Sequence, residues 1–288
     1  MCIPKSILLT VCTAASFLTL AQANETVSRP DKWKYNLFNS VPSEYLRDMS
    51  TDRPDQTESP YTVDAGRYQI ELSFFDYTYD KAGSVRFEQW NAVPRNFKGG
   101  LLNNVDLQVV LDNFISQRTK DSSDDSIVYN EGFGDVTTRL KINLWGNDEG
   151  KTALALMPFI KAPTNSGGVG NNSPEGGIII PFATELPGGW SLGIMTEFDV
   201  MRNGNDNGNH AEFVNSITVS RDIIGKLGGY AEFFTRVVDE DNSDWQGQID
   251  FGLTYSITEN LNLDAGCNFG VTESADDFNP FAGLSVRF

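Results

Sequence analysis

The last eleven residues of the chain alternate between two kinds of side chain and end on an aromatic residue. One face of this segment carries Ala282, Leu284, Val286 and Phe288, and the other carries Gly283, Ser285 and Arg287. Because successive side chains of a strand point to opposite faces, the segment separates an apolar medium from a polar one. A terminal aromatic on an apolar-out, polar-in strand is typical of bacterial outer-membrane barrels. We expect Phe288 to be the signal by which the barrel-assembly machinery engages this strand.

The first 23 residues have the three parts of a secretory signal peptide. Lys5 supplies the positive start, residues 7–20 form an apolar stretch, and Ala21-Gln-Ala23 is a small-x-small cleavage site. The apolar stretch is short of the roughly 20 residues of a membrane-spanning helix, which argues against an anchor. The residues before Cys12 are not small, so a lipid anchor there lacks its motif. We therefore predict that residues 1–23 are removed on export.

Removing the signal peptide leaves 265 residues with 21 basic and 39 acidic side chains, a net charge of −18. A polyanion of this size repels nucleic acid, so we expect no nucleic-acid partner. Only Cys267 of the three cysteines remains, which excludes a disulfide framework and a cysteine-based metal site. No motif in the chain indicates a cofactor or a metal ligand set.

Turn-forming clusters separate short segments along the rest of the chain, and no segment has a sustained apolar period of 3.6 residues. Between the turns the pattern predicts twelve strands. They lie at 66–79, 85–97, 104–119, 133–144, 151–162, 177–185, 189–202, 210–221, 227–238, 245–257, 261–272 and 278–288. An even number suits a closed barrel with both termini in the periplasm.

A soluble β-sandwich would also alternate, so other features decide between the two folds. The strands are long, their apolar faces have no covering helix, and aromatic residues fall near both strand ends, as in membrane-interface girdles. Tyr68, Trp190, Tyr255 and Phe288 fall near one end, and Phe74 and Trp245 near the other. We predict an all-β fold, a 12-stranded antiparallel transmembrane β-barrel of the outer membrane over 66–288. The signal peptide and a short irregular periplasmic segment at 24–65, either a tether or a plug, precede it.

The predicted connections differ in charge between the two sides of the barrel. Those on the side away from the termini are longer and carry 14 acidic against 2 basic residues, whereas the other side carries 4 against 2. Longer loops are typical of the extracellular side. Solvation explains most of this acidity; divalent-cation bridging to anionic lipid is a weaker alternative, with oxygens from Asp121, Asp124, Asp125, Asp239, Asp241, Asp276 and Asp277.

The inward faces of the predicted strands carry many charges, which persist in a lumen only if they are hydrated or paired. We predict that the lumen is lined by Glu71, Asp106, Asp112, Arg139, Lys141, Glu197, Asp199, Glu212, Glu232, Arg236, Asp250, Asp264 and Arg287. Either these groups line a narrow, partly occluded, acidic channel, or acid–base pairs cement a closed interior. Four aromatics, Phe75, Tyr77, Trp90 and Phe234, fall at inner positions and are candidates for an apolar solute path.

A motif before the first strand makes the chain recognisable. It consists of Thr51, Asp52, Arg53, Pro54, Asp55, Gln56, Thr57, Glu58, Ser59, Pro60 and Tyr61, and continues to Gly66. With the stretches 133–147, 212–216 and 263–288, it resembles a family of bacterial outer-membrane proteins described as transporters or as proteins of the phenol-degradation meta-pathway. The resemblance implies an outer-membrane barrel with a transport role. It implies neither a substrate nor catalytic residues.

The sequence therefore predicts a non-enzymatic channel or facilitator for passive transport of small molecules, embedded in outer-membrane lipid. A non-conducting structural or surface-interaction barrel is the first alternative. A lipid hydrolase is the second; it rests on His210, the only histidine, because such enzymes need a Ser–His pair near the rim. The nearby serines, among them Ser216, stand in no recognisable nucleophile motif.

Overall fold

Our computed structural model describes residues 31–93, 95–203, 208–239 and 245–288, and within these ranges fifteen strands form one antiparallel sheet. The predicted signal peptide lies outside the described residues. The strands are β1 (Tyr68–Ala82), β2 (Val85–Ala92), β3 (Arg95–Leu102), β4 (Val105–Leu111), β5 (Phe114–Asp121), β6 (Ser126–Gly132), β7 (Val136–Trp145), β8 (Thr152–Ala162), β9 (Glu175–Leu186), β10 (Trp190–Arg202), β11 (Asn209–Ile224), β12 (Leu227–Val238), β13 (Gln246–Thr258), β14 (Leu261–Gly270) and β15 (Phe278–Arg287).

The sheet closes on itself because the last strand pairs with the first. The β1–β15 ladder runs from Gln69 opposite Arg287 to Tyr79 opposite Phe278. Closure leaves no open edge between the first and last strands, which is how barrels solve the problem of unpaired backbone groups in lipid. The chain thus forms a closed antiparallel barrel, and the predicted fold class is confirmed.

The fifteen strands build the predicted twelve wall positions, because the predicted strands 85–97 and 104–119 are each broken into two pieces and β6, which lies in the predicted connection 120–132, extends the wall strand of β7. β1 pairs with β3 along its first half and with β2 along its second. In the same way, β4 and β5 form one interrupted wall strand, and β6 and β7 form another. The breaks lie side by side on neighbouring strands, because Ala92 pairs with Phe114, Arg95 with Leu111 and Leu111 with Val136.

The outside of the barrel is apolar and the inside polar, the reverse of a soluble protein. All six predicted girdle aromatics, Tyr68, Phe74, Trp190, Trp245, Tyr255 and Phe288, are exposed, whereas Glu71, Asp106, Lys141 and Asp250 are at most 1% exposed. This inversion is the pattern of a barrel that meets lipid outside and polar groups inside. None of the described helices has the length and apolar character to cross a bilayer.

We call the end of the barrel at which β1 begins and β15 finishes the terminal end, and the opposite one the loop end. At the terminal end, the Tyr68 amide donates to the Phe288 carbonyl at 3.0 Å, and their rings stack with centroids 6.2 Å apart. The longest connection between described strands, residues 163–174, lies at the loop end.

A β-bulge in β1 changes the orientation of three aromatic residues that were predicted to point into the lumen. The β1–β15 register shifts between Ser73 and Phe75, which reverses the side-chain phase along the rest of β1. Phe75 and Trp90 are therefore exposed on the outer face, where they form an aromatic cluster with Tyr77. Strict alternation placed these three residues inside, which was wrong because a bulge adds one residue without changing the strand's composition.

Residues 31–67 contain no strand, although an isolated antiparallel bridge joins Asn36 to Leu102 of β3. They contain two short 3-10 helices, Lys32–Lys34 and Ser43–Tyr45, and a small apolar cluster of Tyr35, Val41 and Ala65. Beyond these, the chain continues without helix or strand to the start of β1 and lies against inward-facing side chains of the wall.

Candidate functional site in the barrel lumen

The candidate site is the lumen where residues 51–63, here called the luminal segment, meet the wall. Asp52 is its most tightly held residue, since the Lys141 ammonium group lies 2.6 Å from Asp52 Oδ1 and Lys98 pairs with both Asp52 and Glu71. The Asp52 amide also donates to the Glu71 carboxylate at 3.2 Å. Burial alone would raise the pKa of the Asp52 carboxyl, but Lys141 and Lys98 hold it well below its usual range.

Arg53 reaches the opposite side of the lumen. Its guanidinium bonds both oxygens of Asp264, at 2.6 and 3.3 Å, and lies over the ring of Phe281, whose centroid is 5.6 Å away. Such two-point pairing fixes orientation as well as position. Gly283 makes room for the guanidinium, because a Cβ there would come within 2.5 Å of Arg53 Nη2.

Gln56 and Thr57 bind the acidic wall formed by β11, β12 and β13. The Gln56 amide donates to Glu232 Oε2 at 2.8 Å, and its side chain donates to Asp250 Oδ2 at the same distance. Thr57 Oγ1 donates to Glu232 Oε1 at 2.5 Å and lies 2.6 Å from Ser216 Oγ. The segment thus supplies donors to carboxylates that have no lysine or arginine ion pair in the described chain.

Past the motif, the segment returns to the terminal end along β3, β4 and β7. The Val63 amide donates to Asp106 Oδ2 at 2.9 Å, and Asn143 donates to the Pro60 carbonyl at the same distance. Gly100 allows the closest approach, because a Cβ there would lie 2.1 Å from the Asp64 carbonyl oxygen. Backbone therefore packs directly on backbone at this point of the wall.

An arginine clamps the entry of the segment at the terminal end. Arg47 Nε lies 3.1 Å from Asp64 Oδ1, and its Nη2 donates to the Asn103 carbonyl at 2.7 Å. Arg287, in the last strand, donates to the Arg47 carbonyl at 2.7 Å. The final strand and the entry of the segment are thus held together by hydrogen bonds.

The motif also forms hydrogen bonds within itself. These bonds give a structural role to motif residues that make no hydrogen bond to a strand. Ser59 donates its amide to Asp52 Oδ1 at 3.0 Å, and Thr51 Oγ1 donates to the Arg53 carbonyl at 2.5 Å. Tyr61 donates its amide to Ser59 Oγ at 3.2 Å. Pro54 and Pro60 remove backbone donors from this compact turn, where no ladder needs them.

A chamber of about 300 Å³ lies between the luminal segment and the loop end. Its floor is Gln56 and Glu58, and the Glu58 carboxylate receives a hydrogen bond from Arg139 Nη1 at 2.5 Å. The walls are formed by Arg139, Ile179, Met195, Glu197, Asp199, Met201, Glu212, Val214, Phe234 and Arg236.

The charges of the chamber are only partly paired. Arg236 donates to Glu212 at 2.5 Å, whereas Glu197 and Asp199 form no ion pair with a described lysine or arginine. Within the described chain, four buried polar atoms on the lining have no hydrogen-bond partner, namely Glu58 Oε2, Arg139 Nε, Asp199 Oδ1 and Arg236 Nε. Buried polar atoms are normally satisfied, so each of these atoms is a position where a polar group of a solute could bind.

One inner wall of the lumen is apolar, a feature that the alternation analysis missed. Met157, Ile179, Met195 and Val214 form a buried cluster on β8 to β11, and Phe159 and Phe234 pack against it. Of the four predicted inner aromatics, Phe234 does lie in the lumen. The sequence signal was present: residues 153–160 and 178–182 are apolar on both strand faces instead of alternating.

The structure divides the predicted lumen residues into two groups and one outlier. The luminal segment and its entry contact Glu71, Asp106, Lys141, Glu232, Asp250, Asp264 and Arg287. The chamber contains Arg139, Glu197, Asp199, Glu212 and Arg236. Asp112 stands apart at the break between β4 and β5, where its carbonyl accepts from the Gly134 amide. A role for these groups along a solute path stays a prediction.

The environment of His210 differs from that of a catalytic histidine in a Ser–His pair. Its two ring nitrogens lie 3.0 Å from Asn203 Oδ1 and 3.0 Å from Glu212 Oε1. Ser216, the strand neighbour considered above, is hydrogen-bonded to Thr57. His210 therefore reads as part of the Glu212–Arg236 ion-pair group at the chamber wall.

Among the described residues, no group of three or more His, Cys, Asp or Glu side chains has the geometry to hold a metal ion. Asp241, one of the loop residues considered for divalent cations, lies outside the described residues, as do residues 204–207.

Comparisons with known proteins agree with this architecture. The family model described as "Putative MetA-pathway of phenol degradation" matches residues 51–288, from the first residue of the motif to the terminal phenylalanine. The transport unit of the autotransporter AIDA-I from Escherichia coli is 11% identical, with a TM-score of 0.53, over 85% of this chain and 94% of its own.

Two further solved barrels are similar at lower scores. The NanC porin is 10% identical (TM-score 0.48, 74% of this chain, 98% of its own), and so is the translocator domain of the autotransporter NalP from Neisseria meningitidis (0.47, 77% and 88%). No curated protein matches the chain. At these identities the likeness to AIDA-I shows the fold alone, an outer-membrane β-barrel.

Proposed function

The chain belongs to the family described as "Putative MetA-pathway of phenol degradation", and we propose that it is an outer-membrane facilitator for small molecules, closed at rest by its luminal segment. In this proposal the terminal end faces the periplasm of a Gram-negative bacterium and the loop end faces the outside. The exposed Phe288 then lies at the periplasmic rim, where the barrel-assembly machinery engages the last strand.

The observation that carries the proposal is the contrast between a part of the lumen that the luminal segment fills and an open chamber of about 300 Å³ beside it. The luminal segment fills the lumen through contacts with both walls, from Lys141 on β7 to Asp264 on β14. Above it, Glu58, Arg139 and Arg236 line a chamber that the segment does not fill. Protein interiors are close-packed, so a lumen that served only as a structural core would leave no space of this size.

A non-conducting structural barrel is the second candidate, and one observation favours it. The contacts at the floor form a continuous network of ion pairs and hydrogen bonds, from Lys98 and Asp52 to Arg53 and Asp264. Such a network rigidifies a lumen whether or not anything passes through it.

Replacing residues 51–61 with a glycine–serine linker of equal length separates the two candidates. We expect the linker variant to conduct ions in planar bilayers well above the intact protein and to swell liposomes loaded with small solutes. A folded variant, judged by its shifted gel mobility before and after boiling, that remains silent would favour the structural barrel. A variant with Lys120→Met, which changes a charge at the loop end far from the segment, serves as the matched control.

A further inference from the structure

We propose that the chamber binds a small organic cation with an apolar body, a ligand class that rests on the proposed transport function but is testable by binding alone. Two features of its lining lead there. One is a pair of carboxyl groups, Glu197 and Asp199, that form no ion pair with a lysine or arginine in the described ranges. The other is the apolar cluster of Ile179, Met195 and Val214 beside them.

The two arginines of the chamber are already committed to other carboxylates. Arg139 pairs with Glu58 and Arg236 with Glu212, each at 2.5 Å. The lining therefore contains two neutral ion pairs and one acidic pair, Glu197–Asp199. The uncompensated charge of the chamber is negative, which favours a cation.

The strand register isolates this acidic pair. Glu197 lies between Ile179 on β9 and Val214 on β11, so both of its direct cross-strand neighbours are apolar. Asp199 lies between Gly177 and Glu212. No lysine or arginine stands directly opposite either acid, so neither has a cross-strand cation.

Asp199 supplies the observation that points to a ligand. Its side chain lines the chamber, the residue is only 5% exposed, and its Oδ1 has no hydrogen-bond partner. Burying a carboxylate oxygen without a partner is costly. An ammonium group placed beside it would form a short, charge-assisted hydrogen bond and recover that cost.

The apolar side of the chamber defines the rest of the ligand. Met195 and Ile179 are each 2% exposed, and Phe234 packs against their cluster. A cavity of 300 Å³ equals roughly ten waters of about 30 Å³ each, enough for an aromatic or short aliphatic amine. An anion would instead compete with Glu58 or Glu212 for an arginine that is already paired.

The test is isothermal titration of the folded, mature protein in detergent at pH 7 with four probes. They are benzylammonium, methylammonium, benzyl alcohol and benzoate. We expect benzylammonium to bind at least tenfold more tightly than each of the others, because it alone offers both the charge and the apolar body. Equal or tighter binding of benzoate or benzyl alcohol, or binding of none of the four, would overturn the proposal.

Substitutions locate the site. Glu197→Gln combined with Asp199→Asn should reduce benzylammonium affinity at least tenfold, whereas Asp76→Asn, an inward acid on the opposite wall, should leave it within twofold. Should the double variant not fold, Asp199→Asn alone and paramagnetic broadening from a spin-labelled benzylamine, read on the Met195 and Met201 methyl groups, replace it. An unchanged affinity or no broadening counts against the chamber. Binding without transport would refute the facilitator and leave this site standing.

Discussion

Two regions of the lumen contain the same types of charged residue in different roles. They are the floor, where the luminal segment meets the wall, and the chamber above it. At the floor, one acid, Asp52, is shared between two lysines, and the luminal segment donates hydrogen bonds to Glu232, Asp250 and Asp264. In the chamber, two neighbouring acids, Glu197 and Asp199, form no ion pair with any lysine or arginine of the described chain. Charged residues inside a barrel therefore do not all have the same role. The partners of a charged residue decide whether it stabilises the fold or stays available to a solute.

The largest effect should come from breaking the floor. Lys141→Met removes one of the two cations beside the buried Asp52, and removing one partner of a buried pair typically costs about 3 kcal/mol. We expect a loss of that size in the free energy of unfolding, measured in urea with the barrel in detergent. The control is Lys120→Met, whose exposed pair with Asp125 at 3.8 Å should cost about 0.5 kcal/mol or less. Equal losses would mean that the floor is not cemented by this cluster.

A neighbouring pair of glycines tests how closely the segment approaches the wall. At Gly100 a Cβ would lie 2.1 Å from the Asp64 carbonyl oxygen, whereas at Gly99 it would meet only the Tyr68 ring, at 3.5 Å. Gly100→Ala should therefore destabilise the protein by about 2 kcal/mol and raise its conductance, while Gly99→Ala changes neither. Identical urea midpoints for the two variants would contradict direct packing of the segment on β3.

A rise in pH should weaken the docking of the luminal segment. Burial, with Glu232 nearby and only the Thr218 and backbone hydrogen bonds opposing it, raises the pKa of Asp55 to about 8. Burial also raises the pKa of Glu58 to about 7, against the lowering effect of Arg139. Because both values lie above those of free side chains, the docked segment holds more protons, and docking weakens as pH rises through 7 and 8.

Maleimide labelling measures this pH effect. Thr57→Cys in a Cys267→Ser background should react increasingly faster between pH 6 and 9, after normalisation to an exposed Ser123→Cys. Adding Asp55→Asn should flatten the upper part of the profile. A normalised rate that does not change with pH, or falls, would contradict the assignment.

The smallest effect should come from the chamber. Glu197→Gln changes an acid that forms no ion pair with any described lysine or arginine, so we expect the free energy of unfolding to stay within about 0.5 kcal/mol of the parent, as for substitutions away from structural networks. A loss comparable to that of Lys141→Met, in the same urea assay, would place the chamber acids in the cement and remove the contrast between the two regions.

Much of the fold could be predicted because the bilayer imposes a strict pattern on the strands. Alternation and turn spacing located twelve wall strands, and Phe288 marked the last of them. Alternation alone could not locate the bulge after Ser73, since a bulge changes phase without leaving a compositional trace.

The candidate site was less accessible to sequence reasoning. The inward orientation of charged residues such as Lys141 and Asp264 follows from the alternation of side chains along a strand. Their partners lie in the luminal segment, whose sequence has no repeating pattern. The pairing of Arg53 with Asp264, 211 residues apart, depends on how an irregular chain crosses the lumen. The apolar wall could not be predicted by alternation, which recognises an inner face by its polar residues. Where a strand is apolar on both faces, alternation does not show that one of these faces lines the lumen.

A reversible lock tests the central claim, that the luminal segment closes a solute path, most directly. Thr57 Oγ1 and Ser216 Oγ are 2.6 Å apart, so cysteines at both positions, in a Cys267→Ser background, are placed to form a disulfide. With this pair oxidised, we predict no passage of small solutes through reconstituted barrels, and passage at the parent's level after reduction. Equal passage in the oxidised and reduced forms would show that the segment does not close the path.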